Sequence, residues 1–394
     1  MGIGAMTTTQ QPRPIRIGMI TPSSNTCLEP VTYRLLAGTE GVSVHFSRLQ
    51  VTRVGLDEGS SVQFDVGAMV SAARLLADAK VDVIAWNGTS GSWLGLDHDW
   101  DIVAAIRAAT GIPVTTSTLA LIDAYAVYGV SRLGLVTPYT SEVSERIANT
   151  YARHGIEVVA EDHLGISDNE AFGRVAPEQV AAQVRAVAPE AQAVAVVCTN
   201  VAGAGIVAGL EAELGIPVLD SVTVTLWQAL RFAGATRPIE GSGTLLWDGF
   251  LRSRLQEICG HLLEETHCDR TTLRLDVPKH ALHVDLTAAE CLRPGVKSIR
   301  REGSLDQRRL NTVEWLEKHR ENLVQSRFEG DPMPPQALID VYGVNAQLLG
   351  PVESRDAMVG WLSAHSLAER EWRDTDSAAM DRARAQVRTA LGLD

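Results

Sequence analysis

The chain has little that would tie it to a membrane, a nucleic acid or an oxidising compartment. No apolar run approaches the roughly 18 residues needed to span a bilayer. Met1 to Pro14 is polar, with no hydrophobic segment of signal-peptide length, and reads as a disordered tail. Basic residues are in deficit: 35 Lys and Arg against 48 Asp and Glu give a formal net charge of −13. Binding through phosphates needs a basic face, which argues against a nucleic-acid partner; a small anionic substrate needs only a few local donors and stays open. Cysteine is sparse. Cys27, Cys198, Cys259, Cys268 and Cys291 form an odd set at irregular spacing with no CxxC pair, so neither a disulfide framework nor a zinc cluster is expected. These absences predict a reduced, cytoplasmic protein without a metal site.

What remains is a globular composition, 45% hydrophobic and 21% charged over 394 residues, enough for two or three domains. From Ile15 to Ser221, strand-like apolar runs alternate with amphipathic segments, the pattern of parallel sheets covered by helices. Four of these runs end in loops of small polar residues: Pro22-Ser23-Ser24-Asn25, Asn87-Gly88-Thr89-Ser90, Pro138-Tyr139-Thr140-Ser141 and Cys198-Thr199-Asn200. In open α/β sheets, ligands sit beyond the carboxyl ends of the strands. The run Val194 to Val197 stops abruptly at Cys198, which places a thiol at such an end; a buried packing role fits the same stretch. The order of the runs predicts two related β/α lobes with facing loops. Residues 236–245 read as a linker, and 246–394, with a helix, several strands and a closing helix over Asp374–Leu391, as a separate α+β module.

At these four loops the chain resembles the aspartate/glutamate racemase superfamily, in its maleate isomerase and arylmalonate decarboxylase branch, over residues 15–235. The resemblance implies that Asn25 and, at Asp168-Asn169, Asn169 hold substrate carboxylates. It makes Thr137-Pro138-Tyr139 the tyrosine loop and Cys198 the second of two cysteine positions. Racemases and maleate isomerases carry a first cysteine where this chain has Gly88; Gly88-Thr89-Ser90 is what arylmalonate decarboxylases show. Residues 246–394 resemble a GAF domain at Leu255–Cys259, Asp269–Leu275, Gly360–Ser363 and Trp372–Asp376. That resemblance implies a sensor-type fold open to a small-molecule effector, and both resemblances imply a homo-oligomer.

One thiol without a facing partner disfavours two-base racemisation, and the missing first cysteine disfavours isomerisation by thiol addition. Decarboxylation needs less: donors for an enediolate and one proton source. Thr89, Ser90, Tyr139 and the backbone after Cys198 are the expected donors, and Cys198 the general acid. Ser24, Asn25, Gly88, Asn169, Thr199 and Asn200 are the expected substrate-binding set, with no cofactor. Other roles fit some of these residues: helix caps for Thr89, Ser90 and Asn25, a turn for Asn169, cleft-edge cover for Tyr139. His98, between two aspartates, reads as an exposed helix start. The alternatives to a decarboxylase are a maleate-type isomerase or a related lyase or hydrolase, and a non-catalytic carboxylate sensor.

Overall fold

The computed structural model describes residues 13–57, 59, 62–300, 306–355 and 357–393; most of the expected N-terminal tail lies outside them. The chain divides into two compact units, one ending at Phe250 and one starting at Leu251.

The first unit holds two four-stranded parallel sheets. One contains β1 (Ile15–Pro22), β2 (Val42–Leu49), β3 (Val83–Trp86) and β4 (Val114–Thr116) in the order β2-β1-β3-β4. The other contains β5 (Arg132–Thr137), β6 (Glu157–His163), β7 (Ala193–Val196) and β8 (Val218–Asp220) in the order β6-β5-β7-β8. Each lobe thus repeats the same 2-1-3-4 winding, the doubled β/α architecture expected. The central strands β3 and β7 are buried along their whole length, which is why they read as unbroken apolar runs. Both lobes share one core, with Ile17, Ile84, Leu135 and Val194 fully buried.

Helix starts are set by short polar side chains. Thr116 accepts from the Leu119 amide at 3.1 Å and opens the helix Ser117–Tyr128. Asp220 accepts from Val222 and Thr223 amides at 2.9 and 3.2 Å and opens the helix Ser221–Phe232. These two caps stand at equivalent places, after the last strand of each lobe. Across the lobes, the Thr225 hydroxyl donates to Ser117 at 2.8 Å. At the strand ends, Val54 and Asn169 amides donate to Ser167 and Thr52 carbonyls at 2.9 and 3.1 Å, lacing the two lobes together.

The helix Thr244–Thr266 runs on from the expected linker. The second unit is a five-stranded antiparallel sheet of β9 (Arg270–Leu275), β10 (Thr287–Leu292), β11 (Leu323–Gln325), β12 (Ala346–Glu353) and β13 (Met358–Ser366), in the order β10-β9-β13-β12-β11. One face carries Leu273, Leu348 and Leu362 and packs on Ile258 and on Met380 and Val387 of the helix Asp374–Leu391. The apolar-rich run 338–342 reads as a strand in the sequence, but residues 338–340 belong to the helix Gln336–Asp340 and 341–342 to the turn after it: five residues are too few for periodicity to separate helix from strand.

Candidate active site

The second lobe supplies the thiol. Beyond β7 the chain turns sharply, and the Cys198 amide donates to the Ser221 hydroxyl at 3.2 Å. The Asn200 amide donates to Cys198 Sγ at 3.3 Å. Cys198 is only 2% exposed, and burial pushes its pKa up to about 12, against the weaker opposing pull of a hydrogen bond with Tyr139. At neutral pH the sulfur therefore carries its proton. Tyr139, just beyond β5, is equally buried. Its hydroxyl hydrogen-bonds with the Cys198 thiol and, at 2.8 Å, with the Thr89 hydroxyl of the first lobe. Burial above all holds the phenol well above its ordinary pKa, so it too stays protonated. A line Cys198–Tyr139–Thr89 thus joins the loops of three strands from both lobes.

The Tyr139 ring is clamped edge-on between Trp93 and Phe172, each with its ring centroid 5.3 Å away. This aromatic wall was not legible beforehand: Trp93 sits on a four-residue helix, Gly91–Leu94, too short for a periodic signal. Gly88 faces another indole. A Cβ built there would lie 2.2 Å from a ring carbon of Trp86, so Trp86 fills the space that a side chain at 88 would enter. Ser90 is drawn toward the same ring, its hydroxyl accepting from the Trp86 indole N–H at 3.3 Å, whereas Thr89 is the residue hydrogen-bonded to Tyr139.

The expected carboxylate-binding residues form a network of their own. Asn25 accepts from the Cys27 and Leu28 amides at 3.0 and 2.9 Å, capping its helix, and donates to Thr199 O and Oγ1 at 3.1 and 3.2 Å. Thr199 in turn donates to the Asn87 carbonyl at 2.9 Å. Asn200 accepts from the Thr26 and Cys27 amides at 2.9 and 3.1 Å and donates to the Asn169 carbonyl. Asn169 donates to Ser24 Oγ at 2.7 Å. Asn25, Asn169, Thr199, Asn200 and Ser24 therefore tie one loop cluster together around the turn that carries Cys198. The side-chain amides of Asn25, Asn169 and Asn200 all donate to protein partners.

Two buried carboxyls of this unit went unread in the sequence. Asp99, in the first turn of the helix Leu96–Thr110, hydrogen-bonds Thr116, and burial raises its pKa to about 7. Its neighbour His98, expected to be exposed, is half-buried, and burial lowers its pKa. Asp220 has one oxygen on its helix cap, while the other lacks a hydrogen-bond partner and faces Gly203, where a Cβ would sit 2.5 Å from it. Burial raises its pKa from 3.8 to about 7. A carboxyl raised on folding binds its proton more tightly in the native state. Its stabilising effect is complete below the unfolded value and is lost as pH rises through 7. Asp220→Asn keeps the cap and removes that dependence. The expected result is a shallower fall in unfolding free energy between pH 4 and pH 8, by as much as ~4 kcal/mol, read by urea melts across pH. Among the described residues no group of three or more His, Cys, Asp or Glu is arranged to hold a metal ion, and no helix is long and apolar enough to cross a membrane.

The first unit has counterparts among known proteins. Residues 17–246 match the arylmalonate decarboxylase family. The arylmalonate decarboxylase of Bordetella bronchiseptica is 30% identical over 229 residues, 57% of this chain and 93% of the relative. The maleate isomerase Iso of Pseudomonas putida S16, solved as a cysteine-to-alanine variant with maleate, superposes with a TM-score of 0.55 at 25% identity, covering 59% of this chain and 97% of that one. A cysteine-to-serine mutant of the Nocardia farcinica maleate cis-trans isomerase, solved with a covalently bound succinylcysteine intermediate, gives 0.53 at 26% identity, covering 59% and 98%. Over residues 17–246 the protein belongs to the arylmalonate decarboxylase family and is an enzyme of the decarboxylase or isomerase kind.

Proposed function

We propose that residues 15–235 catalyse cofactor-independent decarboxylation of a small malonate-like diacid. The observation that carries this reading is the protonated Cys198 thiol hydrogen-bonded to Tyr139, together with Trp86 filling the space beside Gly88. In the proposed step the bond from the α-carbon to one carboxylate breaks and CO2 leaves. The electron pair moves onto the remaining carboxylate as an enediolate, whose oxygens accept from Tyr139, Thr89 and backbone amides beyond Cys198. Cys198 delivers its proton to the α-carbon, and the thiolate regains a proton from water that enters as the product leaves. The aromatic wall favours the neutral product CO2 over the charged carboxylate it replaces. Ser90, Gly88 and the Asn25, Asn169, Thr199, Asn200 and Ser24 network shape and hold the loops, and contact substrate once the cleft opens to admit it.

Tyr139→Phe keeps the ring between Trp93 and Phe172 and removes one donor. The expected loss in kcat is ~10²- to 10³-fold, with the melting temperature little changed; steady-state kinetics check it. The loop asparagines favour one other reading, a maleate-type isomerase, and conversion of maleate to fumarate is its signature. The Nocardia farcinica enzyme was caught as a succinylcysteine adduct. A thiol held near pKa 12 and lacking a partner at 88 is poorly set up for such an attack.

The proposal extends to residues 246–394 as a GAF-like domain with a small-molecule effector. The single antiparallel sheet and its closing helix support that reading. It also includes a cytoplasmic setting, in keeping with five free thiols, and a homo-oligomer, which light scattering of the purified chain would read directly.

A further inference from the structure

The second unit buries both faces of its sheet, and they differ in kind. The face opposite the leucines carries Arg270, Thr272 and Arg274 on β9, paired in register with His365, Ser363 and Trp361 on β13. Gln347 of β12 stands beside His365. All seven are at most 4% exposed. The arginines have counterparts within the protein: Glu290 and Asp269 both act on Arg270, and Arg274 donates to the Val284 carbonyl at 2.6 Å, one of its partners. Gln347 donates to the Gln325 side chain at 2.6 Å. His365 is different, because its Nδ1 has no hydrogen-bond partner. Burial, and after it the charges of Arg270 and Arg274, lower its pKa to about 3, so the ring is neutral. A neutral imidazole brings one N–H and one lone pair, and a buried polar atom left unmet calls for an explanation.

Space for a partner lies over the same face. A cavity of about 590 Å³, counting its open mouth, has Thr272, Ser363 and His365 in its floor. Its walls include Leu310, Val313 of the helix Asn311–His319 and Leu338 of the helix Gln336–Asp340. The volume suits a small molecule, and the apolar walls gain by covering a ring. The floor selects the head group. An ammonium would meet the same burial and the same two arginines that keep His365 uncharged. A carboxylate only accepts, so it leaves the imidazole lone pair unmet, and its charge is costly to bury. A hydroxyl donates and accepts, and it satisfies His365 whichever ring nitrogen carries the proton.

We propose that this cavity binds an uncharged ring compound bearing a hydroxyl, with the hydroxyl on the His365–Ser363–Thr272 floor and the ring against Leu310, Val313 and Leu338. This gives a chemical class to the effector proposed above for residues 246–394 and rests on that reading; it does not depend on the catalytic reading of residues 15–235.

The test is calorimetric titration of the full chain at neutral pH with three ligands that share a ring system and differ in charge: 2-naphthalenemethanol, 2-naphthoate and 2-naphthylmethylammonium. Each titration is repeated on His365→Phe and Ala337→Trp. Ala337 lines the cavity, so a tryptophan there fills it without removing a hydrogen-bonding side chain. The expected result is binding of the alcohol at least ~10-fold tighter than either ion, weakened ~10- to 100-fold in His365→Phe and lost from this cavity in Ala337→Trp. Naphthoate or the ammonium binding as tightly as the alcohol, and abolished by Ala337→Trp, would overturn the hydroxyl class and leave an effector site standing. No heat from any of the three, or isotherms that Ala337→Trp leaves unaltered, would overturn the site itself. Should His365→Phe fail to fold, the comparison of the three ligands on wild type and Ala337→Trp decides. The titrations need no turnover, so failure of the catalytic proposal is a separate result.

Discussion

Cys198→Ala is expected to cut turnover of a malonate-like diacid by ~10²- to 10⁴-fold while the protein stays folded. The range is that of a positioned general acid. No other group in the line takes over. Tyr139 is hydrogen-bonded to the thiol, but its phenol is held well above its ordinary pKa and so gives up a proton reluctantly. Thr89 is a hydroxyl with no titration in range. Solvent is kept away, since Cys198 and Tyr139 are each 2% exposed. The structural cost is small: one buried sulfur is worth about 1 kcal/mol of transfer free energy, and the backbone bonds at Cys198 and Asn200 lie in a loop laced by Ser221 and the asparagine network. Cys198→Ser retains a hydrogen-bonding group but not a proton of useful acidity, and is expected to behave like alanine. Kinetics together with a thermal melt separate lost chemistry from lost fold; wild-type turnover in the alanine variant would remove Cys198 from the mechanism.

Gly88→Cys is expected to disturb the protein without creating a second working thiol. The new Cβ would lie 2.2 to 2.7 Å from three atoms of the Trp86 indole, closer than any real contact. Trp86 is wholly buried, and its N–H is tethered to Ser90, so the ring has no free direction to retreat. Overpacking of this kind costs ~1–3 kcal/mol, or ~2–12 °C in melting temperature for a unit of this size. Trimming the ring in the double variant Trp86→Val, Gly88→Cys is expected to recover much of the loss. Differential scanning calorimetry on the single and double variants checks this, and a single variant that melts like wild type would show that the indole does not fill the site.

The path from residues to site was legible where period and loop chemistry agree. Buried parallel strands announce themselves as apolar runs, and the run ends marked the loops that carry Thr89, Tyr139 and Cys198; that these three meet one another was not foreseen. Less was legible where a side chain's partner is distant in sequence. Ser90 and Thr89 are neighbours of similar chemistry, yet one turns to Trp86 and the other to Tyr139. The helix Ser221–Phe232 has no exposed face over Ser221–Leu230, so it lacks the polar stripe that marks a helix in a sequence. The polar sheet face of the second unit was missed because Arg270, Thr272 and Arg274 alternate with Thr271, Leu273 and Leu275, the pattern of a strand with one wet face. Only the tertiary fold shows that the polar side is covered as well.

The most direct test of the catalytic claim is to offer phenylmalonate and maleate separately to the wild-type enzyme in D2O and follow each by proton NMR. The account predicts CO2 release and phenylacetate bearing deuterium at the α-carbon from the first, at a rate that collapses in Cys198→Ala, and no change in the second. Fumarate accumulating from maleate while phenylmalonate persists would contradict it.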